Sequence, residues 1–186
     1  MGALEALWIF LPVVGAPLLH VWVLRGDLLR GLKRPLDGGR TLRGRRLLGD
    51  NKTWRGALLM CSGVLLATLV LSLWPWWWDR LPDGIHDAGP ALYGLLVGLG
   101  VVVGELPNSL LKRQLDIAPG SQRGSWSGRA LMLLDQGDLV LGIWVCLLPI
   151  HVLSVAEGVL AFAVVSAIHF AVNVVGFAVG ARTARV

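Results

Sequence analysis

Apolar residues in this chain are gathered into long runs that contain no Asp, Glu, Lys or Arg: 6–24, 57–78, 139–155 and 159–180, with a fifth, 89–111, broken only by Glu105. Each run holds 17 to 23 residues. At about 1.5 Å of rise per helical residue that nearly or fully spans the roughly 30 Å hydrocarbon core of a bilayer. The pattern predicts an all-α integral membrane protein, a bundle of five transmembrane helices forming a single transmembrane domain over 1–186, with polar connections at 25–55 and 112–138. The five runs take 103 of 186 residues, so no sizeable soluble domain fits beside them. A hydrophobic fraction of 55% and a mean hydropathy of +0.66 agree. The first run lacks the basic leader of a secretory signal and is expected to stay in the mature protein. Cys61 and Cys146 fall inside apolar runs without metal-ligand spacing and read as packing residues.

Charge orients the bundle. Residues 25–55 hold ten basic side chains against three acids, a local excess of seven in a chain whose net charge is +5. By the positive-inside bias this connection faces the cytoplasm, as do 112–138 and the tail with Arg182 and Arg185. The N-terminus is then outside and the C-terminus cytoplasmic, and the acidic 79–87 connection falls outside. Trp74, Trp76, Trp77 and Trp78 read as an interfacial aromatic belt at the outer end of the second span, with Trp22 and Trp54 at the inner surface. Nucleic acid is not an expected partner, because the cations hug membrane ends and no binding module accompanies them.

The first cytoplasmic connection mixes Gly38, Gly39, Gly44 and Gly49 with Arg40, Arg43, Arg46, Lys52 and Arg55. Glycines let backbone N–H groups and cations approach phosphates, and Asn51 and Thr53 add groups that orient a ligand. A polybasic segment that only holds anionic lipid headgroups is the plainer reading. It needs neither the glycines nor the interspersed Asp37 and Asp50, so a folded phosphate site is expected here.

Glu105, Asn108, Ser109 and Lys112 recur at helical spacing and predict one polar stripe at the cytoplasmic end of the third span, with Pro107 expected to kink it. A carboxylate at membrane depth points by default to a hydrophilic cavity. Lys112 and Arg113 extend the stripe towards phosphate. Asp135 and Asp138, three residues apart where the fourth run begins, either cap a helix start or jointly hold a hard divalent cation such as Mg²⁺. Ser166, His169 and Asn173 share a stripe best read as interhelical hydrogen bonding.

The segments Pro35–Gly39, Leu48–Gly56, Gly104-Glu105 with Asn108–Arg113, and Leu134–Asp138 resemble the CDP-archaeol synthase family, membrane CTP-dependent cytidylyltransferases related to phosphatidate cytidylyltransferases. The resemblance implies a five-helix bundle whose cytoplasmic loops bind CTP and Mg²⁺ and join a cytidylyl group to a phosphate-bearing lipid. It implies a nucleotide site over Asp37, Gly38, Gly39, Arg40, Arg43, Gly44, Arg46, Gly49, Asp50, Asn51, Lys52, Thr53 and Arg55. Asn108, Ser109, Lys112 and Arg113 would meet the lipid phosphate, and Glu105, Asp135 and Asp138 the metal. Lys112, Arg113, Asp135 and Asp138 would carry the catalysis, at the cytoplasmic face of the cell membrane. A phosphate monoester is already an anionic nucleophile at neutral pH, which accounts for a sequence without a Ser/His/Asp constellation. A small transporter or an anionic-lipid scaffold is the competing class. CDP-alcohol phosphotransferases are excluded because Thr41 and Leu42 stand where their motif requires Ala-Arg.

Overall fold

The computed structural model describes residues 5–117 and 126–178, with side chains over 6–23, 25–117 and 137–168. A 3-10 segment, Glu5–Val14, leads into α1 (Gly15–Arg25). A small hairpin of β1 (Thr41–Leu42) and β2 (Arg45–Arg46) precedes α2 (Trp54–Leu71), the short α3 (Pro75–Trp78), α4 (Asp83–Gln114), α5 (Trp126–Leu147) and α6 (Val155–Ala178). Among the described residues, three helical stretches are long and apolar enough to cross a bilayer: Ala6–Val23, Trp54–Leu71 and Asp83–Gln114. Gly137–Leu147 and Val155–Ile168 are shorter apolar helical stretches.

The helix boundaries depart from the apolar runs for local reasons. The second run is split at Trp74-Pro75, where the residue before a proline is forced out of helical geometry: Trp74 is extended and Pro75 starts α3. The fourth run is part of a longer helix that begins at Trp126 and ends at Leu147, ahead of Pro149. Asp135 and Asp138 therefore lie inside α5, and the helix-start reading of that pair is corrected. The expected kink at Pro107 is also corrected. The backbone leaves helical geometry at Gly89 instead, with φ 75° and ψ 163° just before Pro90. The start of α6 carries a reciprocal cap: Ser154 N–H donates to Glu157 Oε2 at 2.8 Å, and Glu157 N–H to Ser154 Oγ at 3.3 Å.

Helix α4 lies between α2 and α5 and is glycine-lined on both sides. A Cβ at Gly98 would lie 2.8 Å from the Cys61 carbonyl oxygen on α2. One at Gly104 would lie 2.4 Å from the Asp138 carbonyl oxygen on α5, and one at Gly142 would lie 2.1 Å from the Gly100 oxygen. Gly15 and Gly63 bring α1 and α2 equally close. Backbones in such contact gain dispersion energy that bulkier side chains would forbid, which matters where lipid tails remove the hydrophobic drive for helix association.

The aromatic core sits at the end away from the basic loop. Trp77 is fully buried and donates Nε1–H to the Trp8 carbonyl at 3.1 Å, and the buried Tyr93 hydroxyl donates to the Ile9 carbonyl at 2.6 Å. This corrects the belt reading for Trp77, which ties the N-terminal segment to the bundle. Trp74 and Trp76 are each about half exposed.

Candidate functional site

The basic connection is an ordered loop organised by one acid. Asp37 is buried, and its carboxylate accepts from the backbone N–H groups of Gly39 at 2.9 Å, Leu48 at 2.9 Å and Gly49 at 3.2 Å. The Arg46 guanidinium donates to the same carboxylate at 2.8 Å and also to Asp50 at 2.8 Å. The Arg46 hydrogen bond is the main reason the Asp37 carboxyl is held far below the usual carboxylate range, against the opposing effect of burial. Gly38, Gly39 and Gly49 all take positive φ around this hub, conformations that side chains disfavour. Arg43-Gly44, with φ of 54° and 77°, forms the two-residue turn of the hairpin, whose register pairs Thr41 with Arg46.

Both ends of the loop are stapled together. Pro35 pairs with Thr53 as an antiparallel bridge, Leu36 N–H donates to the Lys52 carbonyl at 2.7 Å, and Trp54 N–H to the Arg34 carbonyl at 3.0 Å. Thr53 then caps α2, its hydroxyl accepting from Gly56 N–H at 3.1 Å. The hairpin is docked on the end of α4: Arg45 donates to the Gln114 carbonyl, Gln114 Nε2 donates to the Arg46 carbonyl at 3.3 Å, and Arg45 pairs with Asp116 at 3.5 Å. Arg113 packs beneath Gly49, with its Cδ 3.4 Å from where a Cβ there would stand. Its Nε is buried without a hydrogen-bond partner among the described residues.

Two cavities flank the C-terminal half of α4. One, of about 240 Å³, is bordered by Asn51, Lys52, Thr53 and Gly56 of the loop and α2, by Glu105 of α4 and by His20 of α1. Lys52 Nζ pairs with Glu105 Oε2 inside it. The other, of about 280 Å³, opens between α4 and α5 and is apolar apart from Asn108 and Asp138, which are buried and joined by an Nδ2 to Oδ2 hydrogen bond of 3.4 Å.

The expected polar stripe is thus divided: Glu105 turns to the loop side and Asn108 to α5. Glu105 and Asp138 border different cavities, and no cluster of three or more metal-ligating side chains forms among the described residues. The Asp135 side chain, like those of His169 and Asn173, lies outside the described residues. Of the loop residues, Asn51, Lys52 and Thr53 reach the first cavity, whereas Asp37, Asp50, Arg46, Gly38, Gly39 and Gly49 build the loop itself. Arg55, almost wholly buried, pairs with Asp27 at 3.3 Å and clamps the turn after α1. Arg40 and Arg43 are exposed, with no side-chain partner among the described residues, and Ser109 and Lys112 are half-buried on α4. His20 escapes a reading of motifs. Its signal is a lone polar residue in the last two turns of an apolar run that feeds a basic loop.

With this geometry in place, comparison with known proteins is decisive. The profile of the CarS-like CDP-archaeol synthase family matches residues 3–185. A CDP-archaeol synthase of Halobacterium salinarum is 40% identical over 136 residues, covering 69% of this chain and 70% of its own. One from Pyrococcus furiosus is 30% identical over 180 residues, covering 94% of this chain and 92% of its own. A solved structure described as an intramembrane enzyme for archaeal membrane lipids biosynthesis superposes with a TM-score of 0.66 at 29% identity, covering 92% of this chain and 94% of that one. The chain is accordingly an integral membrane protein of helical architecture. The match runs nearly end to end and takes in the stapled loop, both cavities and the helices between them, so the chain belongs to the CDP-archaeol synthase family and is an enzyme, a CTP-dependent nucleotidyltransferase.

Proposed function

We propose that this protein transfers the cytidylyl group of CTP to the phosphate of an archaeal ether lipid, giving a CDP-lipid and pyrophosphate, at the cytoplasmic face of a five-span bundle. The observation that carries the reading is the cavity holding Lys52 and Glu105 directly beneath an ordered basic loop, with an apolar cavity on the other side of the same helix. A polar site for a triphosphate and an apolar one for a lipid then share α4 as their wall. The archaeal lipid is favoured over a phosphatidate because the relatives are CDP-archaeol synthases.

In this reading an oxygen of the lipid phosphate attacks the α-phosphorus of CTP, the bond to the bridging oxygen breaks, and pyrophosphate leaves with its electron pair. Both reactants are polyanions, so the task for the chain is to hold them together and stabilise the leaving charge. Lys52, Asn51 and Thr53 hold the triphosphate in the loop-side cavity, with Arg40 and Arg43 gathering it from solvent. Lys112 and Arg113, at the end of α4, steer the lipid phosphate, with Asn108 and Ser109 one turn below. The donor set suits Mg²⁺, which sites of this kind hold through one or two carboxylates and the substrate's own phosphates. Asp138, with Asp135 one turn earlier on α5, would hold it, whereas Glu105, on the other side of α4 and paired with Lys52, would not share that ion. When bound it would neutralise charge on the departing pyrophosphate.

Purified protein given labelled CTP, Mg²⁺ and a panel of ether and ester phosphate lipids should convert the ether phosphate to its CDP form and release pyrophosphate. Transfer to no lipid in the panel would overturn the reading. Asp138→Ala should lower turnover by about a hundredfold or more. Full activity in that variant, at unchanged Mg²⁺ dependence, would remove Asp138 from the metal set.

A further inference from the structure

Helix α1 is apolar over most of its length, yet it carries His20 a turn and a half before its cytoplasmic end. The Nδ1 atom of His20 is desolvated and has no hydrogen-bond partner among the described residues. A buried polar atom left in that state is costly and is rare in folded proteins unless a ligand or water completes it. The ring borders the cavity that also holds Asn51, Lys52, Thr53 and Glu105. The charged groups bearing on it are Arg55 from α2 and Glu105 from α4. It has little freedom to retreat, because Gly15, five residues earlier, is pressed backbone to backbone against Gly63 of α2.

The chemistry of this cavity selects its occupant. Lys52, Asn51 and Thr53 line it, the Lys52 ammonium paired with Glu105, and all three side chains have hydrogen-bond donors to offer. The start of α2 adds the favourable end of a helix dipole, while Leu36, Ala57 and Met60 form apolar walls. A volume of about 240 Å³ is below the usual range for a whole drug-sized ligand, so it accepts one part of a substrate. Phosphate oxygens, rich in lone pairs and anionic, are the acceptors that such a donor set fits.

We infer that His20, from within α1, donates a hydrogen bond through Nδ1 to a phosphate oxygen of a substrate seated in this cavity. Two phosphates are available, the triphosphate of CTP and the phosphate of the lipid. The inference rests on the reading of the protein as a lipid cytidylyltransferase, and its test separates the two.

His20→Asn, His20→Gln and His20→Leu are made in the full chain. The Asn amide takes the place of Nδ1, the Gln amide that of Nε2, and Leu removes both. CTP is titrated at saturating lipid, and lipid at saturating CTP. Inorganic pyrophosphate is added in a parallel thermal-unfolding series that needs no turnover. His20→Leu should raise one KM about tenfold, the loss expected for a hydrogen bond to a charged group, with kcat within about threefold of the parent. His20→Asn should stay within about threefold in both. A raised KM for CTP with loss of stabilisation by pyrophosphate assigns the contact to the nucleotide. A raised KM for lipid with that stabilisation intact assigns it to the lipid.

Unchanged KM values in His20→Leu would overturn the inference. So would His20→Asn as impaired as His20→Leu, which makes the ring a space-filler. Should His20→Leu fail to fold, the Asn and Gln variants decide. Asn outperforming Gln supports the Nδ1 contact, and Gln equal to or better than Asn refutes it. If the parent protein transfers no cytidylyl group, the functional reading falls. The unfolding series, run with pyrophosphate and separately with the lipid phosphate, still judges His20: stabilisation of the parent by either that is lost in His20→Leu supports the contact, and equal stabilisation of parent and variant by both, or stabilisation by neither, overturns it.

Discussion

Asp37 and Lys52 are charged residues of one loop with opposite duties. Asp37 binds inward, to three backbone N–H groups and Arg46, so Asp37→Ala should leave those donors unmet and cost about 2–3 kcal/mol of local stability. Rapid cleavage of the 35–53 segment by a protease that spares the parent would show it. The same carboxylate makes loop order pH-dependent. Its pKa is depressed from an ordinary 3.8, so its contribution is complete above that value and is lost as pH falls below it towards the folded pKa. Amide exchange at Leu48 and Gly49 should therefore stay slow at neutral and mildly acidic pH and accelerate only in strong acid. Lys52 borders the cavity and pairs there with Glu105. Lys52→Ala should lower kcat/KM for CTP by about a hundredfold, measured at saturating lipid, with little change in loop protection.

At the scale of elements, the apolar runs locate the helices, because twenty-odd residues without a charge have few other stable states in a membrane. Their ends are less legible. A run of apolar residues says nothing about where a proline interrupts the backbone, as at Pro75, or how far a helix continues past it into polar sequence, as α5 does. The motifs around Gly49–Thr53 and Glu105–Asn108 contribute residues that line the two cavities beside α4. The split of the Glu105 and Asn108 side chains to opposite sides of α4 is decided by what packs there, and spacing on one helix cannot express it. His20 is invisible to motif reasoning for the same reason, since its neighbours come from α2 and α4. The glycine contacts are the device that sets these positions. Gly142→Ala would drive a methyl into the Gly100 carbonyl, and we expect a cost of about 1–3 kcal/mol in detergent stability, read as a lowered midpoint of thermal unfolding. Gly104→Ala, against the Asp138 carbonyl, should lower activity as well, because it displaces the turn of α5 that carries Asp138.

At the scale of the whole molecule, the proposed five-span topology with an outside N-terminus would assign each connection a side. Arg43→Cys, at the exposed hairpin tip, should react with a membrane-impermeant maleimide only from the cytoplasmic side. Asp79→Cys, in the connection beyond α3, should react only from the outside. Reaction of both from one side would reverse or break the assignment. Cys61 and Cys146 lie within α2 and α5 and give the background against which the engineered sites are read.

The bridge between Pro35 and Thr53 has a further consequence for how such an enzyme diversifies. Since the two ends of the loop meet, the distance between α1 and α2 does not depend on how much chain lies between them, and lengthening a closed loop adds only slowly to its entropic cost. The segment behaves as a cassette. Residues added at Arg43-Gly44 would lengthen the hairpin tip while Asn51, Lys52 and Thr53 stay at the mouth of α2, so inheritance can rewrite the outer rim without moving the cavity.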